Sequence, residues 1–153
     1  MMNIVLHQPE IPHNTGAIGR TCLMSGTSLH LIKPYGFYLD EKSLKRSGLD
    51  YWHQIDVHEY SSFDVFLNKN PGINFYLVET GVDRLYTDVQ YRQNDFLIFG
   101  SETTGLPESL LAQYPERIIK IPMVQASRSI NLSVAAGIVL YEALRQTGFK
   151  NLI

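Results

Sequence analysis

Residues able to do chemistry gather in three segments of this 153-residue chain. The first is Pro9-Glu10-Ile11-Pro12-His13-Asn14-Thr15-Gly16-Ala17-Ile18-Gly19-Arg20, and the second is Gly100-Ser101-Glu102-Thr103-Thr104-Gly105-Leu106-Pro107. The third runs from Ile121-Pro122-Met123 to Ser127-Arg128-Ser129-Ile130-Asn131-Leu132-Ser133. Each holds more Gly, Pro and polar residues than a connection needs, and each follows a short apolar run. Spacing excludes several chemistries. Gly16 and Gly19 do not complete G-x-G-x-x-G and there is no G-x-x-x-x-G-K, which removes the common dinucleotide and phosphate cradles. The serines sit in no nucleophile elbow, and none of the five histidines has an evident partner, which argues against a serine hydrolase. Those histidines also lack metal-ligand spacing and read as structural or surface residues, so no metal is expected. Cys22, the single cysteine, has no basic neighbour in sequence to activate it and reads as a small buried residue.

The elements that must position these segments follow from the apolar runs. Ile4-Val5-Leu6, Leu29-His30-Leu31-Ile32, Phe75-Tyr76-Leu77-Val78, Phe96-Leu97-Ile98-Phe99 and Ile118-Ile119-Lys120-Ile121 are short and rich in β-branched or aromatic residues, as buried strands are. Asn14 reads as the cap of a helix reaching about Ser25, where Gly26 ends it. Further helices are predicted over 43–47, 62–68 and 107–113, and a long one over about 131–147. Strands alternating with helices predict one α/β domain over 1–153, a mostly parallel sheet with helices on both faces. Ligands of such sheets lie beyond the carboxyl ends of the strands, so the three segments can converge. The last helix is apolar nearly all round and must be buried nearly all round. That predicts one face on the sheet and the other on a second copy, with Val139 and Tyr141 at the contact of a homodimer.

Thirteen Lys and Arg against 15 Asp and Glu leave a net charge of −2, a mild argument against non-specific binding to nucleic acid. The longest apolar stretch, Val134 to Tyr141, falls far short of the roughly 18 residues of a membrane span. With one cysteine and no disulfide, a cytoplasmic setting is expected. Lys42, Lys45 and Arg46 cluster after the aromatic run Tyr35-Gly36-Phe37-Tyr38. This basic group reads either as a solvated helix surface or as a local face for phosphates.

Taken in order, four groups of residues resemble the SPOUT class of S-adenosylmethionine-dependent RNA methyltransferases. They are Asn3-Ile4-Val5-Leu6 with Pro9-Glu10-Ile11-Pro12, Asn14-Thr15-Gly16 and Arg20; Gly48-Leu49-Asp50-Tyr51; Phe99-Gly100-Ser101-Glu102 with Gly105-Leu106-Pro107; and Ile121-Pro122-Met123 with Ser127 through Ser133 and Tyr141-Glu142. Within the class the chain is most similar to the TrmL-like (YibK-like) ribose 2′-O-methyltransferases of the tRNA wobble nucleotide. The resemblance covers almost the whole chain. It implies a trefoil knot in the C-terminal third, S-adenosylmethionine bound in the knot without metal, and methyl transfer to a tRNA ribose. A different tRNA or rRNA position, or a non-catalytic RNA-binding module, are the alternatives.

The resemblance also implies roles. Leu77, Gly100, Ile121 and Ser129 match cofactor positions, Leu77 and Ile121 through backbone or apolar contact with the adenine, and Glu102, Gly105, Met123 and Asn131 are expected to bind the cofactor beside them. Without the resemblance, Leu77 and Ile121 read as core, Gly100 and Gly105 as tight-turn residues, and Glu102 as a carboxylate ordering the loop's N–H groups. Arg20 is the implied catalytic residue. A guanidinium makes an implausible free base, but it can orient a 2′-hydroxyl and stabilise charge developing on its oxygen. Asn14 and Ser129 are its implied polar helpers, although Asn14, Ser129 and Asn131 also read as helix caps. Lys33, Lys42, Lys45, Arg46 and Arg128 are the implied RNA-binding cations, and Arg128 could equally meet an acidic group at the dimer contact. Tyr141 reads as an interface aromatic or as a site residue reaching across the dimer, and Trp52 as core or as a platform for a base.

Overall fold

The computed structural model describes residues 1–46, 50–125, 128–150 and 152–153, with the backbone alone at 41, 44 and 45. Gly48, Leu49 and Ser127 of the sequence motifs, and the Lys45 side chain, lie outside the described residues.

Strands β1 (Asn3–His7), β2 (Ser28–Ile32), β3 (Val57–Tyr60), β4 (Phe75–Val78), β5 (Phe96–Phe99) and β6 (Ile118–Ile119) form one sheet of order β3-β2-β1-β5-β4-β6. Every pairing is parallel. Five of these strands follow the apolar runs. The sixth, β3, carries His58 and Glu59 exposed at the sheet edge, so it has no apolar run to betray it. Strand β6 is shorter than its run, since Lys120 makes only a single bridge, to Leu85.

Alternation along the buried strands divides the core in two. Ile4, Leu6, Leu29, Leu31, Leu97 and Phe99 face α1 (Pro12–Ser25) and α5 (Leu132–Gln146). Val5, Phe75, Leu77, Phe96 and Ile98 face Phe66 of α3 (Phe63–Lys69) and Leu110 of α4 (Glu108–Gln113). Helices therefore cover both faces, as expected. The remaining helix, α2 (Glu41–Arg46), starts two residues before its predicted bound because Asp40 caps it, accepting from the Ser43 N–H at 2.7 Å.

Two expectations need correction. Asn14 does not cap α1: the helix begins at Pro12 after Ile11, and no side chain caps it. Pro12 needs no N–H partner at that position, which lets the helix start earlier and releases the Asn14 side chain. Val139 is 0% exposed and packs in the core with Ala136, Leu140 and Ala143, so it cannot meet a second copy. The outward row of α5 is Val134, Ile138 and Tyr141, with Tyr141 45% exposed. Cys22 is buried as expected, and burial pushes its thiol up to about 12. Trp52 is partly buried against the core on the α1 side.

A buried polar group sits where β1, β2 and β3 meet. His30 has Nδ1 2.9 Å from Tyr60 Oη and Nε2 3.2 Å from Asn3 Oδ1, and its ring stacks on His58 at 4.8 Å. Burial, reinforced by His58 and opposed by Asp56, lowers its pKa from 6.5 to about 4. Between those values the unfolded chain takes up a proton that the folded chain refuses. The stabilisation is thus complete above pH 6.5 and fades as pH falls toward 4. His7, also lowered by burial, acts in the same direction. We expect the denaturation midpoint to drop steadily when urea titrations are run at successively lower pH across that window. His30→Gln should flatten the drop.

Candidate active site

A cleft of about 670 Å³, within the usual range for small-molecule sites, opens at the carboxyl ends of β1, β5, β4 and β6. The first segment contributes Ile11 and Asn14, the second Gly100 through Gly105, and the third Ile121, Met123 and Arg128 through Leu132. The convergence expected from the sequence is what the parallel sheet produces. Val78, Phe99, Ile121, Leu132 and Ala135 give the cleft apolar lining, and Asn14, Glu79, Ser101, Glu102, Thr103 and Ser129 give it polar lining.

Two carboxylates hold the loops. Glu102 accepts from the backbone N–H groups of Glu10 (2.8 Å) and Ile11 (3.0 Å) and from Asn14 Nδ2 (3.3 Å). It therefore orders the first segment, not its own turn. Asn14 Oδ1 accepts in turn from Asn131 Nδ2 at 3.1 Å. Asn131 caps α5 as expected, its Oδ1 accepting from the N–H groups of Ser133 (2.9 Å) and Val134 (3.3 Å). A continuous chain of bonds thus joins the α5 N-terminus to α1 and to both other segments. Thr103 Oγ1 adds a bond to the Glu10 carboxylate at 2.6 Å.

The second carboxylate, Glu79, accepts from the Leu106 N–H at 2.9 Å and ties the β5 loop to the end of β4. Val78, Glu79 and Thr80 line the cleft and were not singled out from the sequence. The signal was available: they end an apolar run and precede Gly81, as the other site segments follow theirs.

Seven of the implied cofactor residues line the cleft: Gly100, Glu102, Gly105, Ile121, Met123, Ser129 and Asn131. Leu77 does not. Its side chain points into the α3/α4 core, because alternation along β4 turns Val78 and not Leu77 toward the cleft, so only its backbone is left for a ligand. Arg20 also lies outside the lining, on the exposed surface of α1, with its guanidinium 5.7 Å from the centre of the Tyr51 ring. Tyr51 Oη donates to the Gly16 carbonyl at 3.2 Å, and burial, opposed by the Arg20 charge, holds the phenol above its ordinary range. Among the implied RNA-binding cations, Arg128 lies at the cleft, while Lys42 and Arg46 are exposed on α2. Lys33 is already engaged, 3.5 Å from Glu59.

Glu102→Ala removes three bonds at once. We expect a stability loss of about 1–3 kcal/mol and faster hydrogen exchange at the Glu10 and Ile11 amides, with the distant β2 amides unchanged.

The description of the SpoU rRNA methylase family matches residues 1–141. The chain belongs to this family. The SPOUT-class resemblance read from the loops is thereby borne out. Among relatives of this SpoU family member, the Escherichia coli K12 tRNA (cytidine(34)-2′-O)-methyltransferase is 46% identical, the match covering 100% of this chain and 98% of the relative. A solved structure described as giving insight into the 2-OH methylation of C/U34 on tRNA superposes with a TM-score of 0.89 at 43% identity, covering 96% of both chains. The SpoU methyltransferase AviRb of Streptomyces viridochromogenes, solved with AdoMet, superposes with a TM-score of 0.76 at 26% identity, over 95% of this chain and 57% of its own. Among the described residues no group of three His, Cys, Asp or Glu is placed to hold a metal ion, and no helix is long and apolar enough to cross a membrane.

Proposed function

We propose that this protein is an S-adenosylmethionine-dependent tRNA methyltransferase that acts on the ribose 2′-oxygen of the wobble nucleotide, cytidine or 5-carboxymethylaminomethyluridine, as a cytoplasmic homodimer of one domain. The observation that carries the reading is the match to the tRNA (cytidine(34)-2′-O)-methyltransferase, at 46% identity over 100% of this chain and 98% of the relative.

The cleft suits this cofactor. Apolar walls fit an adenine, the tight Gly100–Gly105 turn lines the cleft, and Glu102 and Asn131 keep the loops in place. When bound, the cofactor supplies a methyl group activated by a positively charged sulfur. The protein's part is to position and stabilise. Ser129 and Asn14 line the cleft and offer hydrogen bonds to an incoming ribose. Arg20, on the α1 surface, meets the 2′-oxygen and its neighbouring phosphate when RNA lies across that helix. The knot is supported by the connection between β4 and β5. That segment pairs with Lys120, whose N–H donates to Arg84 O at 2.9 Å, and with α5, where Gln146 Nε2 donates to Val89 O at 3.1 Å. The chain after β6 thus runs against the loop it would thread. The homodimer is supported by Met24, Val134 and Tyr141, exposed on the adjacent helices α1 and α5.

The test is methylation of tRNA with labelled cofactor, the modified nucleotide located by mass spectrometry of nuclease fragments. Label on the wobble ribose is expected, with none on RNA carrying a 2′-deoxy wobble nucleotide. Label at another nucleotide would favour a different tRNA or rRNA position, and binding without transfer would favour a non-catalytic module. Affinity for tRNA should fall steeply with salt, since Lys42, Arg46 and Arg128 would release counterions from phosphates. Light scattering should return twice the chain mass, and Tyr141→Arg should lower it.

A further inference from the structure

Beyond β2 the chain makes an aromatic turn that the chemistry above leaves unused. Tyr35 and Leu39 anchor it against the core on the α1 side. Tyr35 Oη donates to Glu59 Oε2 at 2.7 Å, and Phe37 stacks on Tyr35 with ring centres 5.7 Å apart and 18° between the planes. Between the anchors, Tyr38 is 83% exposed. A ring so exposed, on a turn fixed at both ends, contributes little to packing within the chain.

The turn is joined to the active site. Gly36 N–H donates to Pro9 O at 2.9 Å, and a Cβ at Gly36 would come within 2.8 Å of Glu10 Cα, so the two segments touch backbone to backbone. Glu10 in turn accepts from Thr103, which lines the cleft. The turn therefore sits one loop away from the cleft, at the same end of the sheet. Immediately after it, α2 carries Lys42 and Arg46, four residues apart and both exposed.

We propose that Tyr38, on the turn anchored by Tyr35 and Leu39, is a platform for an unpaired base of the RNA next to the nucleotide being methylated, with Lys42 and Arg46 meeting the adjoining phosphates. This rests on the reading of the protein as a tRNA ribose methyltransferase. The occupant follows from the chemistry. An exposed ring with cations close behind it in sequence matches the alternating π faces and phosphates of a single strand, and splayed loop nucleotides are held by such stacking. A second copy of the chain would be met instead by the apolar row of α1 and α5, where Met24, Val134 and Tyr141 are exposed.

The experiment uses the whole protein and an anticodon stem-loop RNA with 2-aminopurine beside the wobble nucleotide. Wild-type protein should quench the probe. Tyr38→Ala should abolish the quenching and raise KM for the RNA about ten-fold, on the scale of one lost base–aromatic stack, with kcat within about two-fold and cofactor affinity unchanged. Tyr38→Phe should behave as wild type, because stacking needs the ring and not the hydroxyl. Unchanged quenching and KM in Tyr38→Ala would overturn the platform, and so would a loss that tracks a fall in dimer mass. Wild-type protein that quenches the probe but methylates another nucleotide would sink the wobble assignment and, with it, the platform's place beside the methylated nucleotide. Wild-type protein that methylates the wobble ribose without quenching would sink the platform alone.

Discussion

Arg20→Ala is expected to lower turnover about 10²–10³-fold, the scale on which one preorganised transition-state donor is lost, while fold and cofactor affinity stay nearly as they were. The structure supports that separation. Arg20 is exposed, lies outside the cleft lining, and holds its guanidinium 5.7 Å from the centre of the Tyr51 ring. An exposed contact of this kind is worth about 0.5–1 kcal/mol, too little to unfold the domain. Lysine should rescue poorly, since it keeps the charge but loses the planar fork able to touch oxygen and phosphate together. The measurement is single-turnover methyl transfer at saturating RNA, beside calorimetric cofactor binding. Full activity in Arg20→Ala would refute the assigned role, whatever the family.

Gly100→Val should abolish cofactor binding, with affinity down by at least about 100-fold, and even Gly100→Ala should weaken it severely. The cause lies in the tight turn that Gly100 and Gly105 make. A Cβ at Gly100 would collide with the backbone of Gly105 and Leu106, which no side-chain rotation can relieve. The turn is closed by the Gly105 N–H donating to Ser101 O at 3.0 Å, by a 2.6 Å contact between Ser101 Oγ and Thr104 Oγ1, and by Leu106 N–H on Glu79. Opening it breaks these bonds and dismantles one wall of the cleft. Calorimetry decides the matter: a variant that binds the cofactor as wild type does would remove this loop from the site.

Much of this was legible in the chain, and the legible parts share a physical character. Five strands announced themselves because a strand buried on both faces must be a nearly continuous apolar run. The three loops were found because tight turns beyond strands need Gly and Pro, which are local demands. The caps at Asn131 and Gly26 were equally local, each recorded within a few residues. Strand β3 escaped because an edge strand with exposed His58 and Glu59 satisfies no such demand.

What only the tertiary structure decided was where side chains without a periodic environment point. Glu102 meets the Glu10 N–H across 92 residues, Asn131 meets Asn14 across 117, and Glu79 meets the Leu106 N–H across 27. No local preference selects such partners; they meet because a parallel sheet of this strand order brings the ends of β1, β5, β4 and β6 side by side. Leu77 and Val139 turned inward for the same reason, since the choice between two apolar neighbours depends on which surface packs against them. By itself, then, the sequence determined the strands, the loops and the chemistry they can hold, because backbone geometry and burial are written in short stretches. Loop clamping, the outward row of α5 and the placing of the Tyr38 turn beside the cleft were decided by packing between segments far apart in the chain.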